Sequence, residues 1–460
     1  MMEIKACYQA PEEWAEREVE ITGWIRQSRA SKNVVFLMVN DGTFFKPLQV
    51  VVDKSSPAFE TASRLSNGSA IRVEGVIHLT PQAKQPLELT AEQIDVLGDN
   101  AADYPLQNKR QTMEFLRNYP HLRSRTNTFN AVFRLRSEIA FALHEFFHEN
   151  NFVYVHTPII TSSDAEGAGE MFQVTTLDLD AVPQNEDHSV NYKEDFFGVP
   201  AHLTVSGQLE VESFAMSHRK VYTFGPTFRA EHSNTTRHAA EFWMIEPEIA
   251  FADLNDVMDL AEDMIHTVLE RVMERLPEEM AFFDQWIDKG LIERLNHVRE
   301  SKFVRMTYTE AIDILEKVND RFEAPVSWGI DLQSEHERYL TEEVVKGPMF
   351  LTDYPKEIKA FYMRLNDDQK TVACADMLVP GIGELIGASQ REEREDVLLK
   401  LMREKQMTVE DYQWYVDLRR FGGCAHGGFG LGFERMVMYM SGMGNIRDVL
   451  PYPRTVRTLR

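Results

Sequence analysis

A chain of 460 residues, 43% of them hydrophobic, is long enough for two or three domains, and no apolar run in it is long enough to cross a membrane. Its formal net charge of −24 excludes a general DNA-binding protein, because contacts from basic side chains to phosphates supply most of the affinity of such proteins. The three cysteines, Cys7, Cys374 and Cys424, lack CxxC spacing, which argues against a disulfide framework and a structural zinc site.

The first residues, MMEIKACYQAPEEW, contain neither the basic nor the apolar segment of a secretory signal. Together with the low cysteine content, this predicts a soluble protein of the reducing cytoplasm with no membrane partner.

Five short stretches of alternating apolar and polar residues lie between residues 19 and 98, separated by turn signals such as Asp41-Gly42. With one helix-like segment at 57–65, this pattern fits a five-stranded barrel of the OB type, which binds single-stranded nucleic acid on one face. We therefore predict an OB-fold domain over residues 1–100.

Residues 101–126 contain two prolines and no sustained periodicity, which predicts a hinge between domains. Basic side chains gather here and again near the C-terminus, so we expect localised, salt-sensitive contacts with nucleic acid in spite of the acidic net charge. These basic residues are Lys109, Arg110, Arg117, Arg123, Arg125, Arg447, Arg454, Arg457 and Arg460.

A long amphipathic helix is predicted from Thr126, where apolar residues recur at three- and four-residue spacing, and a β-rich segment, NFVYVHTPIIT, follows it. The next loop, SSDAEGAGEMF at 162–172, places two glycines beside carboxylates, as lids that close over ligands do; an ordinary surface loop is the alternative. Residues 178–200 form a polar excursion to which we assign no chemistry.

Two apolar runs, 221–228 and 242–249, flank a hydrophilic loop and predict an antiparallel strand pair. Arg229 and Glu231 follow the first run, and Glu246 and Glu248 lie in the second. Charged side chains on central strands are costly unless they are paired or bind a ligand, so these are expected to face a cavity. The alternative is a solvent-exposed sheet face with ordinary ion pairs.

An amphipathic helix is predicted at 253–276, and residues 278–346 form a helix-rich insertion without a catalytic pattern. Strands resume near Met349 and lead into CADMLVPGIGELIGASQRE, which brings Asp376, Glu384 and Arg391 together. The chain then reaches GGCAHGGFGLGFERMVMYMSGMGNIRDVLPYPRT, a glycine-rich strand that runs into a helix with Arg435 at its start.

The strand pair, with FRAE...TTRH..EF, and the C-terminal stretch, with GFGLGFER...GMGNIRDVLPYPRT, resemble motifs 2 and 3 of class II aminoacyl-tRNA synthetases. The variants are similar to the aspartyl/asparaginyl branch, most closely to the bacterial asparaginyl type. The resemblance implies an α+β protein: an N-terminal five-stranded OB-fold barrel that grips the anticodon, and a catalytic domain at 127–460 with an antiparallel β-sheet flanked by helices. The helix and the proline-containing strand after residue 126 resemble motif 1 and imply a homodimer; a core helix without an interface is the alternative.

The family reaction uses ATP and Mg²⁺: asparagine and ATP form asparaginyl-adenylate and pyrophosphate, and asparagine then passes to the 3′-terminal adenosine of tRNA(Asn). By this resemblance Arg229 contacts the α-phosphate and Arg435 the γ-phosphate, and His238 is a further phosphate contact. Phe242 and Arg435 sandwich the adenine, and Glu231 faces its amino group. Asp376 and Glu384 hold Mg²⁺, a hard ion that prefers oxygen ligands.

The resemblance further implies that asparagine is bound by Glu166, Gln208, Glu246 and Arg391. The asparagine amide can donate to Glu246 and accept from Arg391, whereas aspartate would place a second carboxylate against Glu246, a repulsion of roughly 4 kcal/mol at about 4 Å. Aspartyl relatives also carry a lysine where this chain has Val211. A structural ion pair between Glu246 and Arg391 is the alternative.

In the barrel, the resemblance assigns anticodon contacts to Arg26, Phe36, Gln49 and Glu88, with Phe36 as a stacking face; a place in the barrel core is the alternative for Phe36. Three other functions stay open at this point. They are an aspartyl-tRNA synthetase, a tRNA-independent asparagine synthetase, against which the barrel argues, and a non-enzymatic binding module.

Overall fold

The computed structural model describes residues 2–83, 85–107, 109, 111–164, 171–233 and 235–459. The chain forms two compact units, Met1–Arg134 and Leu135–Arg460. The elements up to residue 149 are α1 (Ile4–Gln9), α2 (Pro11–Trp14), β1 (Glu18–Ala30), β2 (Val34–Asn40), β3 (Leu48–Asp53), α3 (Phe59–Arg64), β4 (Ala70–Leu79), β5 (Leu87–Gly98), α4 (Met113–Arg117), α5 (Pro120–Arg123) and α6 (Asn127–Glu149).

The second half of the chain continues with β6 (Val153–Tyr154), β7 (Ile160–Thr161), β8 (Gln173–Val174), β9 (Ala201–Leu203), α7 (Gln208–His218), β10 (Lys220–Phe228), β11 (Glu241–Ala250), α8 (Leu254–Arg275), α9 (Pro277–Trp286) and α10 (Leu291–Glu300). It ends with β12 (Val304–Thr307), α11 (Tyr308–Leu315), α12 (Ser334–Tyr339), β13 (Met349–Thr352), β14 (Cys374–Val379), β15 (Gly383–Gln390), α13 (Glu395–Glu404), α14 (Gln413–Arg420), β16 (His426–Gly432) and α15 (Phe433–Ser441).

The five N-terminal strands close into the predicted barrel in the order β1-β2-β3-β5-β4. Side chains alternate between its two faces. On β2, Val35, Leu37 and Val39 are fully buried in the barrel core, whereas Phe36 is half-buried on the outer face.

The second unit is built on an eight-stranded sheet in the order β12-β13-β14-β15-β16-β11-β10-β6. The six central strands pair antiparallel, as the resemblance implies for the catalytic domain. The two outermost pairings, β12 with β13 and β10 with β6, are parallel, so the sheet as a whole is mixed.

Local sequence signals set several of these elements. The predicted strand pair forms as β10 and β11, in register from Lys220 opposite Ile249 to Phe228 opposite Glu241. Helix α8 begins after Asp253, which caps it in a reciprocal capping box with Asp256. The segment predicted to be β-rich after α6 contributes only the two-residue strands β6 and β7, because Pro158 between them cannot donate to a sheet. Within the described ranges, no helix has the length and apolar character needed to span a membrane.

Candidate active site

A cavity of about 360 Å³ opens on one face of the large sheet. Phe242, Met244 and Glu246 alternate along β11 and line it. Their neighbours on β16 and β15 include Gly430 and Gly387, where the sheet surface carries no side chain. A Cβ at Gly430 would lie 2.9 Å from Met244 Cε, so these glycines keep the space above the strands open.

The predicted catalytic-domain residues meet at this cavity. Those that line it are Gln208, Arg229, Glu231, His238, Phe242, Glu246, Asp376, Glu384, Arg391 and Arg435. Glu166, predicted to bind asparagine, lies outside the described residues. Residues more than 200 positions apart converge because α7, β11, β14, β15, the start of α15 and the segment after β10 each contribute side chains to the wall of the same space.

One end of the cavity is rich in arginine. The Arg229 guanidinium lies 5.3 Å from the centre of the Phe242 ring. Arg435 Nη1 donates to Glu384 Oε2 at 3.0 Å and to the Glu384 carbonyl at 3.1 Å. His238 Nε2 lies 3.8 Å from Glu231 Oε2. A polyanion bound here would face cationic groups from β10 and α15.

Asp376 and Glu384 border the same space, since a Cβ at Gly387 would lie 3.9 Å from Asp376 Oδ1 and 3.4 Å from Glu384 Oε1. Burial raises the pKa of Asp376, with Glu384 adding to the effect, although Lys359 Nζ lies 2.8 Å away. For Glu384, burial is outweighed by Arg435, which holds its pKa below the ordinary value. In the described part of the chain no three His, Cys, Asp or Glu side chains form a metal-binding group. Two carboxylates over a glycine nevertheless fit Mg²⁺, which commonly takes one or two protein carboxylates and completes its shell with substrate phosphates and water.

Three residues that the sequence did not single out belong to this end. Lys359 lines the cavity and pairs with Asp376. Arg237 lines it too and donates to Ser334 Oγ at 2.9 Å. Glu337 Oε2 accepts from the Glu384 backbone N–H at 3.1 Å, and burial, with Glu384 and Asp376 nearby, raises its pKa to about 7. Glu337 comes from α12, inside the insertion in which no catalytic pattern was visible.

At the other end of the cavity, Glu246 is buried and accepts from the Ser206 hydroxyl and, at 3.0 Å, from the Gly207 backbone N–H. Arg391, only 3% exposed, donates from Nε and Nη2 to Glu248 and from Nη1 to Ser389. The close ion-pair partner of Arg391 is thus Glu248, which lies two residues after Glu246 on β11.

Neither Glu248 nor Val211 lines the cavity. The sequence predicts that Glu248 lies on the strand that forms β11, but only the fold shows that it contacts Arg391. Val211, which the resemblance matches to a lysine of aspartyl relatives, is fully buried in an apolar cluster with Val155, Ala215 and Val221.

The predicted anticodon residues lie on the barrel. Gln49 and Glu88 are neighbours on the parallel pair β3/β5, and Gln49 Nε2 donates to Glu88 Oε2 at 3.0 Å. Phe36 lies on the same outer surface, opposite Val51 on β3. Its half-buried position outside the core excludes the core alternative.

Arg26, the fourth predicted anticodon residue, lies on β1, at a β-bulge between Ile25 and Gln27. Its Nη2 donates to Asn40 Oδ1 at 3.4 Å. Burial lowers the pKa of its guanidinium to about 10. Arg29, which the sequence did not single out, is exposed and stands directly opposite Phe36 on β2.

Two family models match this chain, and similar proteins and structures are known. Residues 112–456 match the family model of tRNA synthetases class II (D, K and N), and residues 19–97 match that of the OB-fold nucleic acid binding domain. The chain is 60% identical to the asparagine–tRNA ligase of Clostridium acetobutylicum over 98% of both chains. It is 59% identical to that of Bacillus cereus, again over 98% of both.

Solved structures are similar over the same length. Asparaginyl-tRNA synthetase from Pyrococcus horikoshii, complexed with asparaginyl-adenylate, superposes with a TM-score of 0.85 at 33% identity and 98% coverage of each chain. The Entamoeba histolytica enzyme, also in complex with asparaginyl-adenylate, gives 0.80 at 27% identity and 96% coverage of each chain. The chain therefore belongs to the asparagine–tRNA ligase family of the class II tRNA synthetases.

Proposed function

We propose that this chain activates L-asparagine with ATP, forming asparaginyl-adenylate and pyrophosphate, and then transfers asparagine to the 3′-terminal adenosine of tRNA(Asn). The observation that carries the proposal is a single cavity with an arginine-rich end beside two carboxylates and a second, buried end formed by Glu246 and Arg391. The first end suits a nucleoside triphosphate, and the second suits a small polar side chain. The names of the relatives in the family support the same assignment.

Adenylate formation needs no nucleophile from the protein, because the attacking carboxylate of the amino acid is ionised at neutral pH. Catalysis then rests on positioning and on neutralising phosphate charge. Arg229 binds the α-phosphate that is attacked, and Arg435 binds the γ-phosphate of the leaving pyrophosphate. His238 is a further phosphate contact. These assignments are supported by the position of all three side chains in the cavity wall.

The adenine is proposed to stack on Phe242, with Arg435 on its other face and Glu231 accepting from its amino group. The Arg229 guanidinium already occupies the neighbourhood of the Phe242 ring. Because Arg435 is assigned both one face of the adenine and the γ-phosphate, this proposal requires the triphosphate to fold back toward the base, so ATP would bind in a bent conformation.

Asp376 and Glu384 would hold Mg²⁺ beside the phosphates. Bound there, Mg²⁺ would neutralise phosphate charge and orient the leaving pyrophosphate. Asp376 pairs with Lys359 and Glu384 pairs with Arg435, so each carboxylate already has a cationic partner beside the proposed ion site.

Asparagine is proposed to bind with its amide nitrogen donating to Glu246 and its amide oxygen accepting from Arg391, while Gln208, and Glu166 near the α-amino group, complete the site. Among the described residues, the hydrogen bonds of Arg391 use three of the five guanidinium N–H groups. The remaining donors on Nη1 and Nη2 are available to a ligand in the cavity that Arg391 lines.

We assign anticodon binding to the barrel face with Phe36, Gln49 and Glu88, and to Arg26 beside it. The phenyl ring supplies a stacking surface, and the amide and carboxylate read base edges. The net charge of −24 restricts nucleic-acid binding to local basic surface, so we expect tRNA but not DNA to bind at physiological salt.

A homodimer is the proposed assembly. Phe141 on α6 and the strand β6 residues Val153 and Tyr154 are exposed, at 58%, 43% and 50%. β6 is an outermost strand of the large sheet, so a second copy could cover this apolar surface. The proposed compartment is the cytoplasm, whose reducing conditions suit the free cysteines Cys7 and Cys374.

The test is ATP–pyrophosphate exchange by the purified chain, with asparagine and aspartate compared at equal concentration, followed by charging of tRNA(Asn). Exchange with asparagine, little with aspartate, and charging of the tRNA are the expected results. Aspartate-dependent exchange with charging of tRNA by aspartate would make the chain an aspartyl-tRNA synthetase. Aspartate-dependent exchange without any charging would favour a tRNA-independent asparagine synthetase, and no exchange at all a binding module.

A further inference from the structure

Beneath the asparagine end of the cavity, a glutamate that none of the site assignments uses lies at the centre of a buried polar network. Glu212 is on α7, one turn after Gln208, and its side chain is 0% exposed. Its Oε1 accepts from Gln208 Nε2 at 3.1 Å and from the Tyr415 hydroxyl at 2.8 Å. Its Oε2 faces His426 Nε2 at 3.0 Å and accepts from Arg419 Nη2 at 3.1 Å.

Glu212 also faces Arg391, whose Nε lies 3.9 Å from Glu212 Oε1. The carboxylate therefore touches both Gln208 and Arg391, the two residues of this network that line the cavity. Arg391 pairs with Glu248 and lies near Glu212, and Glu212 also pairs with Arg419. The network alternates in charge: Glu248, Arg391, Glu212, Arg419.

The Glu212 carboxyl is ionised in this setting. Burial opposes ionisation, but Arg419, His426 and Arg391 outweigh it and hold the pKa at about 2. A buried carboxylate surrounded by this many donors is rigid, because each of its oxygens is fixed by hydrogen bonds from at least two side chains.

We propose that Glu212 is a positioning residue for amino-acid selection: it orients Arg391 and Gln208 toward asparagine and balances the charge beneath the pocket so that aspartate is rejected. This inference rests on the proposed function, because it takes the buried end of the cavity to be the asparagine site. Glu212 itself does not line the cavity, so it acts through Gln208 and Arg391.

The charge balance explains the expected effect on selectivity. The ionised carboxylate of Glu212 faces two guanidinium groups, those of Arg391 and Arg419, and Arg391 also pairs with Glu248. Replacing Glu212 with glutamine leaves Arg391 opposite Glu248 and takes away the carboxylate that Arg419 faces. The floor of the pocket then carries excess positive charge, which attracts the carboxylate of aspartate, and Arg391 is free to turn further toward Glu248.

The experiment measures ATP–pyrophosphate exchange by the full-length Glu212→Gln variant, with asparagine, aspartate and ATP each varied. We expect the KM for asparagine to rise at least about tenfold and the ratio of kcat/KM for asparagine over aspartate to fall at least about tenfold, while the KM for ATP changes less than about twofold. Glu279→Gln is the matched control: Glu279 is also buried, at 2% exposed, but lies on α9 and does not line the cavity. Its selectivity ratio should equal that of the wild type.

Tyr415→Phe is the second variant, in case Glu212→Gln fails to fold. It removes one hydroxyl donor to Glu212 and keeps the ring, so it should raise the KM for asparagine about two- to fivefold and leave the KM for ATP unchanged. An unchanged KM for asparagine and selectivity ratio in the folded variants, or equal rises for asparagine and ATP, would overturn the role of Glu212. Absence of asparagine-dependent exchange in the wild type would instead overturn the proposed function, and the positioning role with it.

Discussion

Glu248 is a buried glutamate with an unusual protonation equilibrium. Burial, with Glu212 nearby, raises the pKa of its carboxyl to about 7 even though it pairs with Arg391. In the unfolded chain a glutamate titrates near its ordinary value of about 4.3. Between that value and about 7 the folded chain therefore binds the extra proton, and this group makes the folded state less stable as the pH rises.

The Glu248→Gln variant tests whether this carboxyl makes the folded chain less stable as the pH rises. Glutamine cannot ionise, so the variant does not lose stability through this group as the pH rises. The difference in melting temperature, variant minus wild type, should therefore increase from pH 5.5 to pH 8. Thermal unfolding of both proteins at several pH values measures the difference. The same difference in melting temperature at every pH would contradict the raised pKa.

Glu246 is expected to set the choice between asparagine and aspartate. Glu246→Gln removes the charge that repels aspartate, and a repulsion of roughly 4 kcal/mol corresponds to about a thousandfold in affinity as an upper limit. We expect the asparagine-over-aspartate ratio in pyrophosphate exchange to fall by at least about tenfold, with the KM for ATP nearly unchanged. Glu241→Gln, at an exposed position of the same strand, is the control. Unchanged discrimination in Glu246→Gln would remove Glu246 from this role.

At the scale of elements, the contact between β11 and β16 depends on the absence of a side chain at Gly428. A Cβ there would lie 2.1 Å from the Pro247 carbonyl oxygen and 2.3 Å from Glu248 Oε1. Gly428→Ala should therefore destabilise the chain by about 1–3 kcal/mol, typical of overpacking. Denaturation in urea measures this, and Gly444→Ala, where a Cβ meets open space, is the control. Equal stability of the two variants would show that the strands can move apart without cost.

The outer face of the barrel is expected to act only in tRNA binding. Gln49→Ala removes the amide that bonds Glu88 and should raise the KM for tRNA(Asn) at least about fivefold while asparagine-dependent exchange, which needs no tRNA, stays at the wild-type level. Gln93→Ala, an exposed glutamine on β5, is the matched control. A fall in exchange by Gln49→Ala would mean that the substitution disturbs more than anticodon binding.

For the whole molecule, the exposed apolar surface of α6 and β6 predicts self-association. Phe141→Asp combined with Tyr154→Asp places two charges on that surface and should convert a dimer into a monomer in sedimentation velocity. Trp286→Asp, at another exposed aromatic residue on α9, should leave the dimer intact. A wild-type chain that sediments as a monomer would remove the dimer proposal.

Much of this molecule follows from the sequence by itself. The alternating stretches of the barrel, the strand pair β10/β11 and the capped helix α8 are local patterns, and each residue's neighbours in the chain suffice to predict them. The residues around the cavity were predicted in a different way. They lie in stretches that resemble motifs of a known family, and this resemblance implied that stretches far apart in the chain form one site.

Only the tertiary structure decided which charges meet. Arg391 pairs with Glu248 and faces Glu212 instead of pairing closely with Glu246, and Lys359 neutralises Asp376. Glu337 reaches Glu384 from a helix that shows no pattern of its own. These contacts depend on strand register and on packing between segments far apart in the chain, and the parallel edge pairings of the sheet depend on the same long-range geometry. Periodicity reports which face a residue occupies, but the partner across that face is chosen by the fold.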